Sequence, residues 1–370
     1  MIEALFQPRR LADLELRNRV VMAPMTRQRA TAMGVPTDLM ARYFDQRASA
    51  GLVLTDCTMV GPLAHAYENC PGIYSSEQMA GWRAVTSAVH GRGGIIFAQL
   101  WHCGRRSHPE LLDRELPVAP SPVADPAEIR TPLGKRPAPI PRELTTAEIQ
   151  AVVGEFEAAA RNARAAGFDG VELHGANGYL IDQFLRDCAN RREDAYGGSI
   201  ANRTRFLLEV LDAVSGVWGP SRVGVKLSPG NSAHGMSDSD PDALFTHVTR
   251  ELGSRPLAYL HLFEPVGVRE AGVSADESLS HLGTDYFRPR FRGTLMANGG
   301  YDVHTAEAAV RQGRADLIAF ARLFVANPDL PERFARGSSL SRADPATLYG
   351  GGERGYTDYP SLAEQERSQR

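Results

Sequence analysis

Lysine is almost absent from this chain: among 370 residues only Lys135 and Lys226 carry an ammonium group. Chemistry that needs a Schiff-base lysine therefore has one candidate, Lys226, inside an apolar run. The four cysteines, Cys57, Cys70, Cys103 and Cys188, stand far apart with no C-x-x-C pair, which argues against an iron–sulfur cluster or a disulfide framework and for reduced thiols. A metal site could be drawn only from His102, Cys103 and His108, with no fourth ligand at a recognisable spacing, so no metal is expected. There is no long basic run, and the formal charge is −3, which argues against nucleic-acid or membrane partners and makes small molecules the default. No apolar stretch approaches the ~20 residues needed to span a bilayer. The first ten residues carry charge too early for a signal peptide, so the expected location is the cytoplasm.

With 43% hydrophobic and 23% charged residues, the composition is that of an ordinary globular protein. Eight short apolar runs bounded by Gly, Pro or Asn read as buried strands: Val20 to Pro24, Leu52 to Thr55, Ile95 to Gln99, Val171 to Leu173, Val223 to Leu227, Ala258 to Leu262, Thr294 to Ala297 and Leu317 to Phe320. Helix-like segments lie between them, at Ser75 to His90, Thr146 to Ala166 behind a Thr145-Thr-Ala-Glu148 capping box, Asn202 to Val217, Asp240 to Leu252 and Val303 to Gln312. Eight strand–helix units predict a single (β/α)8 TIM barrel over residues 1–370. The alternative is a doubly wound open sheet. It lacks a G-x-G-x-x-G turn after any early strand, and Gly350-Gly-Gly-Glu-Arg-Gly355 follows no strand. Residues 1–17 are expected to cap the bottom of the barrel. Residues 101–142, rich in proline and too long for a plain connection, are expected to cover the active site, and residues 340–370 form a C-terminal segment.

The richest stretch is His174-Gly-Ala-Asn-Gly-Tyr179, just past the fourth run, where barrels keep their chemistry. If a helix begins at Gly175, His174 and Asn177 share a face and can donate together to one oxygen, while Tyr179 adds a weak acid. Such a set polarises an unsaturated carbonyl and protonates the adjacent carbon. Taken singly, each residue also fits a strand cap or the core. Beyond the seventh and eighth runs stand Asn298-Gly-Gly300 and Ala321-Arg322, where phosphate-binding barrels hold their anion. Thr26, Gln99 and Lys226 at other strand ends, with Met25 and Cys57 as soft packing atoms, suit a flat heteroaromatic ring. A phosphate beside a ring suggests FMN.

Several segments together resemble the Old Yellow Enzyme family of FMN-dependent ene reductases over essentially the whole length. They are Met22-Ala-Pro-Met-Thr-Arg27, Gln99-Leu-Trp-His-Cys-Gly-Arg105, the stretch from His174 to Leu185, Asn190-Arg-Arg-Glu-Asp-Ala-Tyr-Gly-Gly-Ser-Ile-Ala-Asn-Arg203, Ala326-Asn-Pro-Asp-Leu330 and Tyr349-Gly-Gly-Gly-Glu-Arg-Gly-Tyr-Thr-Asp-Tyr-Pro360. The resemblance implies that NADPH or NADH reduces a tightly bound, non-covalent FMN, whose N5 then gives hydride to an α,β-unsaturated carbonyl or nitro compound. It further implies that Pro24, Met25, Thr26, Cys57, Gln99 and Lys226 surround the ring and that Asn298, Gly299, Gly300, Ala321 and Arg322 hold the phosphate. His174 and Asn177 would bind the substrate oxygen, Tyr179 would be the acid, and Tyr356 would wall the substrate cavity in a monomer or homodimer. Three positions depart from the family pattern: Lys226 stands for a more usual arginine, Cys57 for alanine or glycine, and Ala321 for a frequent glycine. Two other classes are compatible with the strand ends alone, a flavin-free phosphate-binding isomerase or aldolase, and a flavin-holding sensor without turnover.

Overall fold

A computed structural model describes residues 2–264 and 276–368. The remaining positions of the expected 1–370 domain lie outside the described residues. Eight parallel strands close on themselves: β1 Val20–Met22, β2 Leu52–Met59, β3 Ile96–Trp101, β4 Gly170–His174, β5 Val223–Leu227, β6 Tyr259–Phe263, β7 Leu295–Asn298 and β8 Leu317–Phe320. Each is one of the eight apolar runs, with its ends within two residues of those expected except in β2, which runs four residues further, from Leu52 to Met59. Its extension contains an irregularity in the pairing with β3 between Leu54 and Cys57. The Thr55 hydroxyl fills the interrupted ladder by accepting from the Gln99 backbone N–H at 3.0 Å, so the bulge costs no hydrogen bond and re-aims Cys57 toward Gln99. The closed barrel rules out the open-sheet alternative.

The five expected helices form around the barrel, and the capping box expected at Thr145 is present. Ser75 and Thr145 both build capping boxes, with Gln78 and Glu148 respectively. Each such cap stabilises its helix by about 1 kcal/mol. The sequence reading missed a helix over Asp38–Gln46, opened by Thr37, whose side chain accepts from the Met40 N–H. It buries Met40, Tyr43 and Phe44, a spacing of three and four that was legible but brief. No helix among the described residues is long and apolar enough to cross a membrane.

At the N-terminal end of the barrel, Arg9–Leu11 and Leu14–Leu16 pair as a hairpin. Its Leu11 and Leu16 pack with Val21, Leu54, Phe97 and Met296 into a cluster separate from the main core. Over residues 101–142 the chain is not plain loop. Ile129–Thr131 and Gly134–Arg136 make a hairpin, and Val118–Ala119 pairs with Arg142–Glu143. These strands of two or three residues are too short to register as a period in the sequence.

The C-terminal segment is held by guanidinium groups from the barrel side. Arg27 donates to the carbonyls of Leu348 and Gly355, both at 2.8 Å, and Arg29 to those of Thr347 at 2.9 Å and Leu348 at 3.0 Å. Arg47 reaches the Tyr356 carbonyl at 3.4 Å and Arg333 that of Pro360 at 2.8 Å. Burial lowers Arg47 to about 10, which still leaves it cationic at neutral pH. Tyr356 stacks on Tyr43 at 4.0 Å with an interplanar angle of 3°, with the Arg29 guanidinium 4.6 Å above the Tyr356 ring.

Candidate active site

The chain leaves β4 at His174 and does not enter a helix at Gly175. The helix begins only at Leu180. Between them Asn177 and Gly178 both take left-handed backbone conformations, with φ of 57° and 74°. Asn tolerates this region and Gly favours it. The expected shared helical face of His174 and Asn177 is therefore replaced by a tight turn, which Ser228 closes by accepting from the Asn177 N–H at 2.7 Å and Asp182 by accepting from the Gly178 N–H at 2.8 Å.

This turn fixes what each side chain can offer. The backbone N–H of Ala176 donates to His174 Nδ1 at 3.3 Å, so the ring's proton sits on Nε2 when the imidazole is neutral. Burial, then Lys226 and His261, hold His174 well below the usual histidine range, so it is neutral. Asn231 donates its amide to Asn177 Oδ1 at 2.9 Å, which leaves the Asn177 Nδ2 amide as the outward-facing donor. Tyr179, only 8% exposed, packs edge-on against the His174 ring at 4.9 Å and against Trp101 at 5.1 Å. Its hydroxyl lies 2.9 Å from that of Tyr67.

Inside the barrel, Glu172 is fully buried, one residue before Leu173 and so on the same face of β4 as His174. Its carboxylate accepts from Gln99 Nε2 at 2.7 Å and meets His261 Nδ1 at 2.8 Å. Burial alone would raise Glu172, but His261, Lys226 and Gln99 outweigh it and keep the carboxyl below its ordinary range. An ionised carboxylate can only accept, so the Gln99 amide nitrogen must face it and Gln99 Oε1 must face the other way, where the Cys57 thiol approaches at 3.2 Å. Lys226 pairs in register with His174 and His261 in the neighbouring strands, and its ammonium lies 5.8 Å from the Phe263 ring centroid. Burial lowers it from 10.5, partly offset by Glu172. Lys226 is only 5% exposed, so its ammonium is a largely buried donor at the end of its strand.

At the ends of β7 and β8 the backbone comes close. Gly299 has φ of 128°, and a Cβ there would sit 1.8 Å from the Glu264 carbonyl oxygen, so no other residue fits without a shift. Asn298 is anchored through its amide to the Ala319 carbonyl at 2.7 Å, Gly300 also has positive φ, and Ala321 leads into Arg322–Ala326. Pro24, Met25 and Thr26 follow β1 and are half-buried. Asp56, in the β2 irregularity, pins this segment by accepting from the Arg27 N–H at 2.8 Å.

Other candidates are placed differently. Burial pushes the Cys57 thiol up to about 12, so it packs rather than reacts, with the Thr26 hydroxyl beside it. The Tyr356 hydroxyl is buried with no partner among the described residues. His102 Nδ1 accepts from the Gly104 N–H at 3.0 Å, and among the described residues no three His, Cys, Asp or Glu side chains gather as a metal site. Sequence reasoning missed Glu172 and His261, which alternate by two with His174 and Tyr259 along their strands. It also missed Tyr67, which no local pattern marks.

A buried donor at Lys226, an acceptor at Gln99 and a Cβ-free cradle at Gly299 suit a flavin ring with its phosphate at the far rim. The NADH:flavin oxidoreductase / NADH oxidase family matches residues 4–341. A probable flavin mononucleotide-dependent alkene reductase from Leishmania infantum is 43% identical over 368 residues, 98% of each chain. Morphinone reductase in complex with tetrahydroNAD superposes with a TM-score of 0.89 at 46% identity, covering 97% of both chains. The old yellow enzyme homologue of Zymomonas mobilis gives 0.93 at 41% identity, covering 97% of this chain and 99% of that one. With a closed barrel, these donors on its rim and relatives matched from end to end, this chain belongs to the NADH:flavin oxidoreductase / NADH oxidase family, the Old Yellow Enzyme family that its sequence resembles.

Proposed function

We propose that the protein is an FMN-dependent NAD(P)H:acceptor oxidoreductase that reduces activated C=C bonds, with the turn from His174 to Tyr179 as its substrate site. One observation carries the reading: on a single turn stand a neutral imidazole with its proton on Nε2, an amide turned donor-outward and a protonated phenol. When bound, FMN supplies the hydride carrier between NADH or NADPH and the β-carbon of an α,β-unsaturated carbonyl or nitro compound. His174 Nε2 and Asn177 Nδ2 donate to the substrate oxygen and stabilise the negative charge that gathers there. Tyr179 gives its phenolic proton to the α-carbon. Tyr356, expected to wall the cavity, has no exposed surface and packs between Tyr43 and the Arg29 guanidinium instead.

Thr26, Gln99 and Lys226 hold the polar edge of the ring, with Pro24, Met25 and Cys57 packed beside it, and Asn298, Gly299, Gly300, Ala321 and Arg322 hold the phosphate. The flavin-free aldolase reading falls with the family assignment. The finer reading is a cytoplasmic monomer or homodimer that accepts NADPH or NADH and has no nucleic-acid or membrane partner; the charge of −3 supports the exclusion of nucleic acid.

The direct test is colour and turnover. The purified protein is expected to be yellow, to release FMN on heating, and to consume NADPH or NADH with 2-cyclohexenone. A colourless protein that gains no flavin spectrum on soaking with FMN contradicts the assignment. A second expectation concerns Lys226. An ammonium buried beside the ring favours an anionic reduced flavin, so Lys226→Met lowers the flavin potential by at least ~30 mV, the equivalent of tenfold for a two-electron couple. Lys226→Arg preserves binding through the guanidinium fork. Potentiometry with a reference dye reads both, and an unchanged potential in Lys226→Met would mean that the lysine faces away from the ring.

A further inference from the structure

We propose that Tyr67 is the relay through which Tyr179 is reprotonated from solvent after each turnover, a positioning and proton-carrying residue outside the donor set that grips the substrate. The inference rests on the reading of Tyr179 as the acid. Once Tyr179 has given its proton away, its oxygen is left anionic in a pocket where the residue is only 8% exposed. His174 and Trp101 pack edge-on against the ring at 4.9 and 5.1 Å. The hydroxyl hydrogen-bonded to it is that of Tyr67, at 2.9 Å. Tyr67 is half-buried and lines a cavity of about 310 Å³ whose rim carries the exposed Glu128 and Lys135. Trp101 lies parallel to the Tyr67 ring at 6.0 Å and edge-on to Tyr179, so one side chain orients both phenols.

Charge runs outward along this line. Burial disfavours the anionic form of both phenols, so each is protonated at neutral pH and the 2.9 Å hydrogen bond between them is a path along which a proton can pass. The Arg106 guanidinium, which lines the same cavity and is paired with Asp125 at 2.9 Å, favours the anionic form of both phenols. The steps balance as follows. The Tyr179 O–H bond breaks as the new C–H bond forms at the α-carbon. The Tyr67 O–H proton then passes to the Tyr179 oxygen, and water in the cavity returns a proton to Tyr67, for a net uptake of one proton from solvent.

The test uses the FMN-loaded enzyme, reduced photochemically and mixed with 2-cyclohexenone in weak buffer, with flavin absorbance and a pH-indicator dye followed together. In the wild type, proton uptake is expected to keep pace with flavin reoxidation. In Tyr67→Phe the first turnover proceeds within about threefold of wild type, because Tyr179 starts protonated, while proton uptake lags by tenfold or more and steady-state turnover slows with it. Tyr67→His, which restores a protonatable side chain, recovers uptake and serves equally as the probe if the Phe variant folds poorly. Uptake that keeps pace in Tyr67→Phe, or that stays slow in Tyr67→His while the first turnover is normal, overturns the relay. Tyr179→Phe run alongside separates the two readings: a normal first turnover there removes Tyr179 as acid, whereas a slow one with prompt uptake in Tyr67→Phe removes Tyr67 alone.

Discussion

Tyr179→Phe slows reduction of 2-cyclohexenone by a factor on the order of 100 to 10,000, the usual worth of a positioned acid, and leaves flavin reduction by NADPH nearly intact. The asymmetry follows from where protons are needed. Nicotinamide gives up hydride without placing a proton on a substrate carbon, whereas an enone acquires one at the α-carbon. Burial holds the Tyr179 phenol well above its ordinary range, so it is protonated at working pH and poised to be replenished rather than to stay ionised. Nitroalkenes provide an internal control. Their nitronate product is stable enough to leave and take its proton in water, so the same substitution affects them far less. Stopped-flow measurement of the two half-reactions decides the matter: equal slowing of both, or none of the enone step, would remove Tyr179 from the role.

His174→Ala is expected to slow enone reduction by at least ~10-fold and by up to about 1,000-fold, the range seen when a donor to a developing oxyanion is deleted. The same donor should grip a phenolate lying over the flavin, so 4-hydroxybenzaldehyde should bind more weakly and its long-wavelength charge-transfer band should fade. The imidazole is held well below the usual histidine range by burial and by the charge of Lys226, so it stays neutral and donor-competent across neutral pH. The pH profile of kcat/KM should accordingly show no break from this residue near the ordinary histidine value of about 6.5. If the variant binds the phenol with the same band and affinity, the donor assignment is wrong.

The barrel was legible because buried parallel strands read as predominantly apolar runs, and all eight were found even where Glu172 and Lys226 interrupt them. The chemistry of the site was legible as residue types, but its geometry was read with the wrong rule. Spacing of three suggested one helical face for His174 and Asn177, although Asn177-Gly178 is itself a turn signal, and the backbone there is left-handed at both positions. The three side chains still stand on one turn, but the turn is fixed by Ser228, Asn231 and Asp182 rather than by helical periodicity. Glu172 was hidden for another reason. An inward carboxylate in a wholly buried strand looks like an interruption of the core until its partners Gln99 and His261, from two other strands, are known. Tyr67 and Arg106 come from separate loops and meet Tyr179 only in three dimensions, so no window of sequence contains them together.

The arginine clasp on the C-terminal segment has a consequence for how such an enzyme can change over generations. Arg27, Arg29, Arg47 and Arg333 hold that segment by the carbonyl oxygens of Thr347, Leu348, Gly355, Tyr356 and Pro360, which every amino acid carries. These hydrogen bonds are blind to side-chain identity, although Tyr356, stacked on Tyr43, and Gly355, where a Cβ would meet the Thr347 hydroxyl at 1.8 Å, are not interchangeable. Mutations at the exposed positions along the segment can therefore recast the surface while the course of the segment over the barrel stays put, so selection can vary that surface without first rebuilding the scaffold.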